Sequence, residues 1–215
     1  MTQLEIVVRG NAHGSFAPER AQLRLRVNLT GEQRDSVYRD AAHVHSSLVS
    51  AVEELVQRSV VATWSSESVH VYSHRPYDSD GAPRDPVYTA NIGVEARFHD
   101  FDELDRFIDT WAVQEGVEIG GVSWELEPAN RRRYEAELRK QAVEDAVVKA
   151  QAYADAVGRG AVTPTQLADP EMLSDSRPMA RGMMLAAKAD GGAGVELHAD
   201  DIELSVAVDA RFIAE

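Results

Sequence analysis

Two histidines and a tyrosine on one predicted strand are the first residues whose types and spacing could do chemistry. His70, Tyr72 and His74 are spaced two apart, so their side chains share one face of a strand. Two ligands of one zinc ion each lie ~2 Å from the metal, whereas strand residues four apart are separated by ~13 Å. A solvated strand face explains this spacing better than a metal site does.

The sequence gives equally little support for another metal site or for an activated nucleophile. His43 and His45 are two apart in a predicted helix and point to different sides. The chain has no cysteine, which excludes a thiolate nucleophile, a disulfide and any Cys-ligated zinc or iron–sulfur cluster. No serine lies in a Gly-x-Ser-x-Gly elbow, and the glycines at 191–194 lack the Lys-Ser/Thr step of a phosphate-binding loop. The sequence therefore predicts no catalytic residue, no metal and no cofactor.

Carboxylates cluster at two places where acid–base chemistry could be sought. They are Asp100, Asp102, Glu103 and Asp105 at a predicted helix start, and Asp200 with Asp201 before a predicted strand. Acidic side chains in a first helical turn are stabilised by the helix dipole and the unpaired backbone N–H groups. No companion base or oxyanion donor can be placed beside either cluster, so we interpret both as structural.

A methionine-bearing segment is the candidate contact surface. Residues 170–200 show no sustained period and contain Met179, Met183 and Met184, which predicts a long loop. Flexible thioether side chains suit adaptable contacts with a partner, although the same loop could fold its methionines back over a sheet. The contact hypothesis predicts that deleting residues 177–194 lowers the oligomeric mass and leaves the circular dichroism unchanged.

The charge of the chain limits its partners. Its 36 acidic residues against 22 basic ones give a formal net charge of -14. This charge opposes a nucleic-acid backbone and an anionic membrane surface, and no stretch has the ~20 apolar residues of a spanning helix. We therefore expect a soluble protein without a nucleic-acid partner. The N-terminus lacks the pattern of a secretory signal, so we expect the cytoplasm, or export if the native N-terminus is missing.

Period-two patterns predict the strands that must position these residues. The clearest runs from Ala21 to Leu29, where apolar residues alternate with Gln22, Arg24 and Arg26. Further strands are predicted at residues 3–9, 60–74, 87–99, 122–126, 162–168 and 202–212. The glycines at 10 and 14 predict a turn after the first strand. The prolines and aspartates at 75–86 predict the long tip of a hairpin.

Three- and four-residue recurrences predict three helices. Two are long, at residues 32–58 and 129–157, and the shorter one starts at Asp100 and ends before Gly116. Thr30 and Gln33 have capping-box spacing before the first helix, and Gly158 ends the last one. Strands and helices do not alternate strictly, so we predict an α+β fold, a largely antiparallel sheet packed by two long helices and one short one.

Four stretches of the chain resemble the SIMPL-domain family, a mostly bacterial group that largely lacks an assigned reaction. They are residues 7–10 with 17–21 (VVRG and APERA), the alanine-rich helix with its Asp145-Ala146 pair, residues 177–181 (RPMAR), and the acidic alternating ending at 201–212. The resemblance spans nearly the whole chain and implies a single SIMPL-like domain over residues 1–215, with a division into two lobes left open.

The resemblance transfers no catalytic residue, and the chain departs from the family pattern in two ways. It shows no export signal, which many members carry, and Leu197-His198-Ala199-Asp200 replaces the usual proline-glycine before the last strand. We expect a non-enzymatic structural or protein-interaction role with self-association through strand edges, helix faces or the methionine loop. The alternative is a small-molecule binding or hydrolytic domain with a pocket under the 170–200 loop, using some of His70, Tyr72, His74 and His198.

Overall fold

The computed structural model describes residues 3–173 and 199–215, which contain eight strands and three helices. The elements are β1 (Leu4–Phe16), β2 (Arg20–Gly31), α1 (Arg34–Gln57), β3 (Val61–Ser66), β4 (His70–His74), β5 (Val87–Phe98), α2 (Phe101–Ala112), β6 (Val117–Glu125), α3 (Pro128–Ala156), β7 (Val162–Ala168) and β8 (Ile202–Ala214). The chain divides into two compact units, one with β1, α3, β7 and β8 and the other with β2–β6, α1 and α2. The predicted α+β class with antiparallel pairing, two long helices and a short one is confirmed.

A five-stranded antiparallel sheet organises the second unit. Its strand order is β3-β5-β2-β6, with β4 also paired to β5. Alternation in β2 buries Leu23, Leu25 and Val27 under α1 and α2, as the period-two pattern predicts. The opposite face of the sheet, which carries Arg24 and Arg26, has no helix of this unit over it.

The predicted strand at 60–74 is wrong as a single element, because it is two strands. β3 pairs with the C-terminal half of β5, and β4 pairs with its N-terminal half. The break at residues 67–69 is fixed by the backbone N–H of Glu67, which donates to the carbonyl of Gly93 at 2.9 Å. β4 and β5 form the predicted hairpin. In its tip Asp78 Oδ1 accepts the backbone N–H groups of Asp80 and Ala82.

The first unit is a three-stranded antiparallel sheet, in the order β1-β8-β7, covered on one face by α3. The helix buries a stripe of small residues at four-residue steps, namely Ala142, Ala146, Ala150 and Ala154. These alanines let the helix backbone approach the sheet closely. Most of the buried large side chains come from the strands, with Phe212 fully buried, and α3 adds Leu138.

The predicted turn at Gly10 and Gly14 is wrong, since both glycines lie inside β1. Gly10 faces α3, where a Cβ would collide with the carbonyl oxygen of Ala142 and lie 2.8 Å from the Ala146 Cβ. The glycine is therefore required by the close helix-to-sheet packing and not by a turn.

The helix starts confirm one of the two predicted caps. Asp100 accepts the backbone N–H of Glu103 at 3.0 Å, as predicted for the start of α2. Thr30 belongs to β2, and Gln33 at the start of α1 makes no side-chain cap, so the capping-box prediction is wrong. α2 ends at Ala112, which leaves Gly116, with φ of 80°, in the turn into β6. Gly158 adopts φ of 71° after α3, as predicted.

The outer edge of β1 is covered by an ion pair from α3. Asp145 accepts the backbone N–H of Asn11 at 2.7 Å, and Lys149 donates to the carbonyl of Arg9 at 3.1 Å. The two side chains also contact each other at 2.6 Å. Together they satisfy backbone groups that an edge strand leaves unpaired.

Replacing Asp145 with alanine should accelerate hydrogen exchange at the Asn11 amide, because that N–H loses its acceptor. Amide exchange followed by NMR measures this, with the Leu25 amide in the second unit as an internal control. The interpretation of Asp145 as an edge cap fails if the Asn11 amide keeps its wild-type exchange rate.

Candidate functional site

The open face of the five-stranded sheet gathers the charged side chains of its central strands. Arg24 lies directly opposite Glu95 of β5, and Arg26 lies opposite Gly93 of β5 and Glu118 of β6. Ser65 of β3 lies opposite Glu95 on the other side of β5. The alternation of each strand dictates which residues reach this face, and the register between strands dictates which of them are neighbours.

One end of this face is a closed polar network. Arg20 pairs with Glu125 at 2.8 Å, and Arg97 donates to Gln22 at 2.7 Å and lies 3.4 Å from the same Glu125 carboxylate. These contacts link three neighbouring strands, β2, β5 and β6, through side chains on their solvent side. The charges at this end are used within the protein.

The other end of the face is a groove with unused charges. Its cavity volume is about 510 Å³, and Arg24, Arg26, Glu67 and Glu95 line it. Among the described residues, Arg24 donates only to the Ser123 hydroxyl, at 3.3 Å. Within the described part of the chain, the side chains of Arg26, Glu67 and Glu95 have no hydrogen-bond or ion-pair partner.

Glycines create the depth of the groove. Gly93 and Gly120 are among its lining residues and present no side chain. Glu67 fills the space above Gly93, since a Cβ there would lie 2.6 Å from Glu67 Oε2. The isolated glycine in the β5 pattern was the sequence signal for this close approach.

The three residues of the predicted histidine strand share the open face of the same sheet. His70, Tyr72 and His74 pair with Asn91, Thr89 and Val87 of β5, and the His70 and Tyr72 rings are 5.8 Å apart. In residues 3–173 and 199–215, no three histidine or acidic side chains converge as a group that could hold a metal ion. None of the three lines the groove.

One contact between a histidine and a serine was not anticipated from the sequence. His45 Nε2 of α1 lies 2.7 Å from Ser66 Oγ of β3. A base beside a hydroxyl is the arrangement that activates a nucleophile. The Ser66 hydroxyl also contacts the carbonyl oxygen of Glu67 at 3.2 Å. The contact between His45 and Ser66 ties α1 to β3.

Two members of the acidic cluster at 100–105, Asp100 and Glu103, make structural contacts. Asp100 caps α2, and Glu103 accepts from Arg58 at 2.9 Å and from Arg106 at 2.6 Å. Asp201, from the second predicted cluster, accepts the hydroxyl of Ser15 at 3.0 Å. These carboxylates hold neighbouring elements together.

A separate ion pair crosses the three-stranded sheet between directly opposed residues. Arg9 contacts both carboxylate oxygens of Asp209, at 2.6 and 3.0 Å. The backbone N–H of Glu171 donates to the same carboxylate at 2.8 Å. The Arg9 hydrogen bonds, together with that N–H, lower the pKa of Asp209 despite its burial. Asp209 thereby anchors the turn after β7.

The predicted methionine contact surface cannot be placed on this fold, because Met179, Met183 and Met184 lie outside the described residues, as does His198. Met172, in the described start of the 170–200 segment, is 74% exposed. No helix in the described ranges has the length and apolar character needed to cross a membrane.

Comparison with known proteins identifies one family. A family model named SIMPL, described as a protein of unknown function (DUF541), matches residues 6–212. No curated protein matches the chain.

Proposed function

We propose that the chain, which belongs to the SIMPL family of unknown function, is a non-enzymatic interaction protein. It associates with a second copy of itself through β6. The non-enzymatic part is supported by how its polar groups are used. Asp100 caps a helix, Glu103 bridges two arginines, and His45 contacts Ser66 between α1 and β3.

The observation that carries the proposal is the open edge of β6. This nine-residue strand ends the five-stranded sheet, and no other described strand pairs with its outer side. An open edge presents backbone donors and acceptors on which another strand can pair. The register shift in β6 lies near Gly120, and residues 122–125 pair regularly with β2.

The other edges are less suited to pairing. Asp145 and Lys149 cover part of the β1 edge, and β7 carries Pro164 next to a register shift. The β3–β4 edge is interrupted at residues 67–69. β6 is the longest of these edges that no helix side chain or proline blocks.

An apolar stripe follows the same edge. Ile119, Val122 and Trp124 point to the helix side of the sheet and are only partly buried. Trp124 packs edge-on against Phe101 of α2, with ring centroids 4.9 Å apart. A second β6 strand paired antiparallel would extend the sheet and cover both stripes. Such a contact is two-fold symmetric, as the commonest homodimer interfaces are.

Replacing Val122 with lysine should lower the oligomeric mass, because it places a charge in the stripe beside the open edge. Analytical ultracentrifugation measures the mass, with circular dichroism as the check on folding. Thr163→Lys adds the same charge to the exposed edge strand β7 and should leave the mass unchanged. With a net charge of -14, association of the wild type should strengthen as salt increases.

Two results would count against association through β6. One is a wild-type mass that Val122→Lys leaves unchanged. The other is a loss of mass on deletion of residues 177–194 with the Val122→Lys mass intact, which would assign the contact to the methionine segment.

The groove on the open sheet face favours a second candidate function, a small-molecule binding domain. Its volume of about 510 Å³ falls within the ~300–1,000 Å³ of typical ligand sites. Arg26 and Glu95 line it with unused charges. This site lies on β2, β3, β5 and β6 and is formed by described residues without the 170–200 segment.

A further inference from the structure

The charges in the groove are arranged as two columns of opposite sign. Arg24 and Arg26 of β2 form the basic column, and Glu95 of β5 with Glu67 after β3 form the acidic one. Glu118 of β6 also lines the groove, opposite Arg26, but it accepts from Asn28 at 2.7 Å. Neighbouring strands lie ~4.8 Å apart, so Glu95 is about that far from Arg24 at the backbone, and the Glu67 carboxylate lies over Gly93, which is opposite Arg26. Arg24 and Glu95 are directly opposed, yet they make no ion pair.

The closed end of the same face shows that this sheet can pair its own charges. There Arg20 and Arg97 both contact the carboxylate of Glu125. In the groove, Arg26, Glu67 and Glu95 stay without partners in the part of the chain that the structure describes. Both signs remain available to a bound molecule.

We infer that the groove binds a short peptide with free ends, its carboxylate on Arg24 and Arg26 and its ammonium on Glu67 and Glu95. This inference rests on the second proposed function, the small-molecule binding domain. Arginine forks hold a carboxylate through paired hydrogen bonds, and two carboxylates beside them supply acceptors for an ammonium group. A ligand with one charge would satisfy only one column. The columns lie about one strand spacing apart, which fits the two ends of a dipeptide, and the volume of about 510 Å³ accommodates it.

One of the acidic groups lies over the floor of the groove. Gly120 presents no side chain there, whereas the space above Gly93 is taken by the Glu67 carboxylate. The Glu67 backbone N–H donates to the carbonyl of Gly93 at 2.9 Å. The β3–β4 break therefore holds this carboxylate beside the basic column.

Isothermal titration calorimetry with four forms of dialanine tests the inference on the full chain. The forms are free-ended, N-acetylated, C-amidated and blocked at both ends. The free form should bind tightest, each single block should weaken binding by about tenfold, and the double block should abolish it.

Two variants test which column of charges binds each end of the peptide. Arg26→Gln should weaken binding of the free peptide about tenfold and leave the C-amidated peptide unaffected, because that peptide has no carboxylate to lose. Glu95→Gln should weaken the free peptide similarly and leave the N-acetylated peptide unaffected. Arg132→Gln, on the exposed surface of α3, makes the same change in net charge as Arg26→Gln and should bind all forms as the wild type does.

The outcomes distinguish failure of the peptide assignment from failure of the small-molecule binding function. Equal binding of all four forms, reduced by Arg26→Gln, would overturn the peptide assignment and keep a small-molecule site at the groove. No binding of any form would overturn the peptide assignment. Loss of binding in Arg132→Gln would overturn the placement in the groove.

Discussion

Alanine at position 10 should lower the free energy of unfolding of the first unit by about 3 kcal/mol or more, the largest effect expected from a single added methyl group. The new Cβ would collide with the carbonyl of Ala142 and lie 2.8 Å from the Ala146 Cβ. Both obstacles belong to the α3 backbone or to a Cβ, so no side-chain rotation relieves them. The helix would have to move away from the sheet, exposing the alanine stripe.

Urea unfolding followed by circular dichroism measures this loss. Gly160→Ala is the matched control in the same unit, because its Cβ would meet the Glu215 carbonyl at an ordinary distance of 3.4 Å. We expect the control to change stability by less than about 1 kcal/mol. Equal effects of the two substitutions would contradict the close packing of α3 on β1.

Replacing Asp209 with asparagine should cost about 1–3 kcal/mol at neutral pH, the second largest effect. The carboxylate is nearly buried and accepts from both Arg9 nitrogens and from the Glu171 backbone. Asparagine keeps the shape and loses the charge. The cost stays well below that of a fully buried pair, because the Arg9 side chain is 46% exposed and regains water.

The cost should depend on pH with a defined sign. The pKa of Asp209 is lowered in the folded protein, first by the Arg9 hydrogen bonds and then by the Glu171 N–H. Its contribution is therefore fully present above the unfolded pKa of ~3.9 and is lost as the pH falls through the lower folded pKa. The difference in unfolding free energy between wild type and Asp209→Asn should stay constant from pH 7 to 5 and shrink below about 4.

Glu5→Gln is the control for this pH series. Glu5 pairs with Arg211 at 2.7 Å across the same two strands but is 55% exposed. An exposed pair of this kind contributes ~0–1 kcal/mol. A difference for Asp209→Asn that stays unchanged from pH 7 to 3 would show that the carboxylate charge is not what stabilises the turn after β7.

The strands and helices that face water on one side were predictable from the sequence. The features that depend on close packing between distant parts of the chain were not. The alternation in β2 and β8 and the recurrences of α1 and α3 placed these elements within a few residues. Gly10 was misassigned because a glycine in a strand has the same local signal whether it starts a turn or admits a helix. Only the position of Ala142, more than a hundred residues away, decides between the two.

The candidate site was predictable in composition and not in geometry. The pattern of β2 already placed Arg24 and Arg26 on its wet face. Their neighbours depend on the register with β5 and β6, which local sequence does not specify. The split of residues 60–74 into β3 and β4 likewise depends on the Gly93 carbonyl that holds Glu67.

Hydrogen exchange of the β6 amides at a low and a high protein concentration tests self-association through β6 most directly. Backbone pairing between two copies should slow exchange within Val117–Glu125 at the high concentration, while Val162–Ala168 of β7 exchanges equally at both. Equal exchange of β6 at the two concentrations, or slowing confined to another edge, would contradict the account.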